Sequence, residues 1–128
     1  MGVSNFSSVT LELQNVELPE TATATACRND HCVTLAVGAT ILDDVPSHRV
    51  STRGSDYVLG YLDVERTKTG LKVWYNIGTP GVDGDIYSFR LELPNGTIVF
   101  DRSIAVDYDF HEATQCSDQY WIARVVLD

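Results

Sequence analysis

Apolar residues recur at every second position through most of the chain, and turn-forming residues interrupt them every eight to twelve positions. That period belongs to half-buried strands, and the spacing of the interruptions belongs to a sandwich or barrel rather than to helices. Val9, Leu11 and Leu13 alternate with Thr10, Glu12 and Gln14 and predict a first strand. After Asn15 the apolar phase moves to Val16 and Leu18, which predicts a bulge or a change of sheet before Pro19 ends the segment.

TATATAC and CVTLAVGATIL predict two further strands joined through the four-residue turn RNDH. LDDVPSHRVSTRGSD carries no sustained period and reads as the longest loop, residues 42–56. DYVLGYLDVE and GLKVWYNIG predict a hairpin turned by RTKTG, with Leu71, Val73 and Tyr75 on one face and Trp74 on the other. A second loop follows at TPGVDGD, residues 79–85. In IYSFRLEL, Tyr87, Phe89, Leu91 and Leu93 alternate with Ser88, Arg90 and Glu92, the cleanest strand in the chain. PNGT turns it into IVFDRSIAV, because Asn-Gly favours the positive φ of tight turns, and QYWIARVVL supplies a last strand.

Seven or eight strands predict an all-β fold, an antiparallel two-sheet sandwich of immunoglobulin-like type, with a jelly roll or small barrel as the alternative. The length suits a single domain, expected over residues 8–128 behind a flexible N-terminal segment at residues 1–7. A formal net charge of −9, with nine scattered basic residues, argues against binding nucleic acid or anionic lipid through clustered Lys and Arg. No apolar run approaches the ~20 residues of a membrane span, and the first twenty residues lack the basic and apolar pattern of a signal peptide. Met1-Gly2 is either a genuine start or one that replaces a removed signal or lipid-anchor segment, and the composition, that of secreted β domains, favours the second.

The run YSFRLELPNGTIVFDRSIAVDYDFHEATQC, followed by WIARVVL, resembles the C-terminal half of small immunoglobulin-like sandwich domains in bacterial secreted proteins and lipoproteins. In such domains a Y-x-F/V-x-L hairpin with a D-G or N-G turn precedes a cysteine-bearing loop and the last strand. The resemblance covers about the last third of the chain. It implies architecture and a cell-envelope setting, and no activity. Those families often pair the late cysteine with a near neighbour, whereas no cysteine follows Cys116 here.

Cys27 and Cys32 flank the predicted turn and would face one another across a hairpin, so a disulfide between them is expected, leaving Cys116 as a free thiol. Pairing of either with Cys116 is the competing arrangement. Zinc held by Cys27, His31, Cys32, His111 and Cys116 fits the familiar ligand spacings only loosely, and C-x4-C without a helix N-terminus argues against a redox pair. Asp83, Asp85, Asp107 and Asp109 put hard oxygen ligands on two loops, and calcium is the cofactor such loops would clamp between them.

No G-x-S-x-G elbow, H-E-x-x-H helix or phosphate-binding loop is present, so the chain does not read as an enzyme. An outward-facing Trp74, with His48, Arg49 and Arg53 in the long loop, forms the candidate binding set. The expected function is that of a non-enzymatic extracellular or cell-envelope module making protein or glycan contacts through loops 42–56 and 78–85 and an exposed sheet face. A calcium-dependent binding domain is the alternative.

Overall fold

The computed structural model describes residues 5–54, 59–112 and 119–127. In chain order its elements are β1 (Asn5–Gln14), β2 (Ala22–Arg28), β3 (His31–Val37), α1 (Ala39–Asp44), β4 (Arg49–Arg53), β5 (Tyr61–Arg66), β6 (Gly70–Ile77), β7 (Ile86–Glu92), β8 (Ile98–Ala105), β9 (Asp109–Glu112) and β10 (Gln119–Leu127). The strands form two open sheets, one ordered β4-β5-β6-β1-β10-β9 and the other β3-β2-β7-β8.

Each central strand turns one parity inward. Val9, Leu11 and Leu13 of β1 and Val73 and Tyr75 of β6 join Ala24 and Ala26 of β2 and Tyr87, Phe89 and Leu91 of β7 in one buried cluster. The alanines of β2 are small enough to leave room for the rings beside them. Tyr75 and Tyr87 meet edge to face at 4.9 Å between centroids, and the Tyr75 hydroxyl donates to the Ser88 carbonyl at 2.8 Å, tying the sheets together. Burial pushes the Tyr75 phenol well above its ordinary range, so it stays a neutral donor.

The all-β, two-sheet expectation holds, and the sheets do not close into the small barrel that stood as an alternative. Several finer expectations are corrected. Ten strands are present among the described residues rather than seven or eight. The sandwich is not wholly antiparallel, because β1 runs parallel to β10 from Asn5 opposite Gln119 to Leu13 opposite Leu127, while its other edge pairs antiparallel with β6. Asn5 to Ser7 belong to β1, with Ser7 fully buried, rather than to a flexible segment ending at residue 7.

The phase change after Asn15 is the end of the strand rather than a bulge: Asn15 takes a left-handed φ of 59° and its N–H bonds the Thr69 carbonyl. GATIL does not continue β3. Gly38, at φ 136°, passes so close to Glu20 that a Cβ there would lie 2.4 Å from its carbonyl oxygen, and the chain coils into α1 to bury Leu42. The expected long loop contains β4, an edge strand in which Val50 and Thr52 are half-buried while Arg49, Ser51 and Arg53 are exposed.

β2 and β3 form a hairpin around Asn29-Asp30, with Arg28 opposite His31 and Cys27 opposite Cys32. Asn29 adopts φ 53°, a conformation that asparagine tolerates. Cys27 and Cys32 are bonded with their Cα atoms 4.1 Å apart, as expected, on the outer face of the four-stranded sheet. The loop they close is short, so the Cys27→Ser/Cys32→Ser double variant is expected to lose about 2 kcal/mol of unfolding free energy in a urea titration. A loss below about 0.5 kcal/mol would show that the tight turn alone holds the hairpin.

Candidate functional site

Strand alternation on β4, β5, β6, β1 and β10 sends one set of side chains to the core and the other to the outer face of the six-stranded sheet. Cross-strand register orders that outer set into rows. Ser51, Asp63, Trp74, Thr10 and Arg124 stand in one row, flanked by the row of Arg49, Glu65, Lys72, Glu12 and Val126 and by the row of Arg53, Tyr61, Asn76, Ser8 and Ile122.

Within these rows cations, rings and carboxylates interlock. The Arg49 guanidinium lies 4.6 Å from the Trp74 ring centroid and donates to Asp63 Oδ2 at 2.5 Å. Ser51 also hydrogen-bonds Asp63, and Lys72 approaches the Trp74 ring at 5.1 Å. Arg53 covers the Tyr61 ring at 4.9 Å, and Arg124 is paired with Glu12. Each cation–π contact at such an exposed site stabilises by about 0.5–1 kcal/mol, so the contacts arrange the face more than they hold the fold. Four of the nine basic residues of this acidic chain, Arg49, Arg53, Lys72 and Arg124, lie on this one face.

Three of the four residues expected to bind, Trp74, Arg49 and Arg53, are therefore gathered here, although 25 positions separate Arg49 from Trp74 in sequence. His48 is not part of the face. Its backbone is left-handed at φ 53°, and its Nδ1 lies 3.1 Å from the Leu42 carbonyl beside α1. Tyr61, Asp63 and Lys72 belong to the face without having been singled out by sequence. Their signal was the alternation: Tyr61 and Asp63 have the parity opposite to that of Leu62 and Val64, which enter the core.

The expected calcium set is not brought together. Asp85, on the loop before β7, is 8% exposed and faces Arg28, itself 4% exposed, whose Nη2 bonds Asp85 Oδ2 at 2.8 Å and whose Nε lies 3.2 Å from the same oxygen. Arg28 also donates to Thr79 Oγ1 at 2.6 Å and to the Pro80 carbonyl at 2.9 Å. Tyr108 donates its hydroxyl to Asp85 Oδ2 at 2.7 Å while lying 2.8 Å from the Tyr87 hydroxyl. The Val82 N–H and the Asn29 amide complete the shell at 3.1 Å each. An aspartate held this way by a guanidinium is a buried ion-pair partner rather than a calcium ligand.

Asp83 accepts the Tyr108 N–H at 3.2 Å, and Asp107 and Asp109 are exposed. Among the described residues no group of three or more His, Cys, Asp or Glu side chains is placed to hold a metal ion. Cys116 and its expected free thiol lie outside the described residues, and the Cys27–Cys32 bond leaves neither of those cysteines for the competing pairing with it.

Burial alone would raise the Asp85 pKa, but hydrogen bonds from Arg28, Tyr108, Val82 and Asn29 outweigh it and hold the carboxyl below its ordinary value. Burial would likewise lower Arg28, and the hydrogen bond and charge of Asp85 reverse this. Tyr108 is raised, first by burial and then by its bonds to Tyr87 and Asp85. The cluster pins the 78–85 loop to the β2–β3 hairpin and is a structural lock, with the charges matched and the surrounding donors and acceptors engaged. Its sequence signal was parity. Arg28 continues the inward series Ala22, Ala24, Ala26, and an arginine on a core parity requires a buried acid.

Fold and face together define an all-β, two-sheet protein with an arginine- and aromatic-bearing outer sheet surface. No family model, curated protein or solved structure matches the chain. No helix among the described residues is long and apolar enough to cross a membrane, and the Cys27–Cys32 bond is compatible with a non-cytoplasmic setting.

Proposed function

We propose that the chain is a non-enzymatic, immunoglobulin-like module of an extracellular or cell-envelope protein, and that it contacts a protein partner through the outer face of its six-stranded sheet. The observation that carries this reading is the convergence of Trp74, Tyr61, Arg49 and Arg53 on one sheet surface. Trp, Tyr and Arg are the residues that most often dominate protein interfaces, and surrounding polar groups that exclude water complete such a centre. A protein partner fits better than a glycan. Arg49 and Lys72 approach the Trp74 ring that a sugar would need for stacking, whereas carboxylates on a protein could compete with Asp63 for Arg49. The reading requires no cofactor.

Surface capture from envelope extracts of the source cells, with wild type compared against Trp74→Ala, Arg49→Glu and the opposite-sheet control Arg90→Glu, tests the assignment. The expected result is a partner retained by wild type and Arg90→Glu and reduced at least tenfold by the two face variants, a difference of about 1.4 kcal/mol. Retention unchanged by both face variants would remove this surface from the function. Binding to a glycan array that depends on Trp74 would replace the protein partner by a sugar.

A further inference from the structure

The four edge strands of the sandwich are unequally protected against pairing with another chain. β4 carries Arg49 and Arg53, β8 carries adjacent Asp101 and Arg102, and β9 has only four residues, including Asp109 and Glu112. Short length, charge and cover by a neighbouring helix or loop are means of blunting an edge. α1 and β4 touch β3, but the first two means are missing there: after His31 the strand runs Cys32-Val33-Thr34-Leu35-Ala36-Val37, without charge, proline or glycine, and it is the terminal strand of its sheet.

The hairpin geometry fixes which backbone groups this edge offers. The 4.1 Å Cα separation of Cys27 and Cys32 marks a non-hydrogen-bonded pair, so the alternate pairs Ala26 with Val33 and Ala24 with Leu35 carry the β2–β3 hydrogen bonds. The N–H and C=O groups of Cys32, Thr34 and Ala36 therefore point away from β2, and these three residues are exposed. The disulfide ties Cys32, the first of them, to β2 and holds the edge extended.

We propose that β3 is a homodimerisation edge, pairing antiparallel with β3 of a second copy about a two-fold axis at Thr34 and merging the two four-stranded sheets into one. The strand is complementary to itself in the register that overlaps all seven of its residues. Thr34 meets the partner's Thr34, Val33 meets the partner's Leu35 on the core side, and Cys32 meets the partner's Ala36 on the outer side. Residues opposite one another share a face, so the two cores fall on the same side of the joined sheet. The three outward positions exchange about six backbone hydrogen bonds. No like charges meet. β8 lacks this property: the two registers nearest full overlap that keep its core faces together put Asp101 against Asp101 or Arg102 against Arg102.

Sedimentation velocity on the full chain across a concentration series is the test. An edge-only interface is small, so wild type is expected to shift from monomer to dimer with a dissociation constant on the order of 100 µM. Thr34→Arg sets two guanidinium groups across the axis, and Ala36→Lys charges a second exposed outward position. Both variants are expected to stay monomeric at every concentration while keeping the wild-type circular dichroism spectrum and melting temperature. Thr34→Val is expected to dimerise like wild type. A wild-type chain that remains monomeric throughout overturns the proposal, and so does a dimer that survives in a folded Thr34→Arg or Ala36→Lys variant.

Discussion

Asp85→Ala is expected to lower the unfolding free energy by about 3–5 kcal/mol at pH 7, because it leaves the Arg28 guanidinium buried without its counter-charge. For a chain of this length that is a drop of about 10–20 °C in melting temperature, measurable by differential scanning calorimetry. The double variant Arg28→Met/Asp85→Leu is expected to recover much of the loss, since both charges and their desolvation disappear together.

The pH dependence of this pair has a defined sign. The folded-state pKa of Asp85 is depressed below its unfolded value of about 3.9, so its stabilisation is complete above that value and is lost as pH falls through the folded one. Wild type and Asp85→Asn should therefore differ fully at pH 7 and converge below about pH 4. A gap that stays constant down to pH 2 would mean that the carboxylate charge contributes nothing.

Phe89→Ala is expected to have the second large effect. Phe89 is fully buried at the centre of β7, between Ala26 of β2 and Arg102 of β8, and packs edge to face on Phe100 at 6.4 Å between centroids. Truncation removes the ring's transfer free energy and leaves a cavity that the paired strands cannot collapse, a cost of about 3–5 kcal/mol. The urea midpoint should fall accordingly, with an unchanged slope. Trp74→Ala, on the solvent side of β6, should cost about 1 kcal/mol or less. The contrast separates the side chains the sandwich needs for folding from those on its outer face.

How much could be read from sequence depended on whether a segment buries a full face. β7 was legible because Tyr87, Phe89 and Leu91 all enter the core, and the β7–β8 turn because Gly96 takes the positive φ of 90° that Asn-Gly signals. β4 was not, since an edge strand with arginine at both ends has only Val50 to show an apolar parity. α1 was missed because its one buried residue, Leu42, also fits a strand, and Gly38 breaks β3 through a contact with a distant segment. At the candidate site, local alternation gave the outward direction of Trp74. The neighbours that make Trp74 part of a surface come from the β4–β5–β6 register, and no linear pattern states which strand lies beside which. Asp85 reads as a solvated loop acid until Arg28, 57 positions away, is seen to face it.

The parallel pairing of β1 with β10 determines how the molecule carries mechanical load. Asn5 starts one strand and Leu127 ends the other, at opposite ends of nine matched residue pairs. Tension applied between these two points runs along the strands, so the hydrogen bonds between them are loaded in shear and must yield together rather than peel one at a time. A sandwich wired this way resists extension best along the line from Asn5 to Leu127.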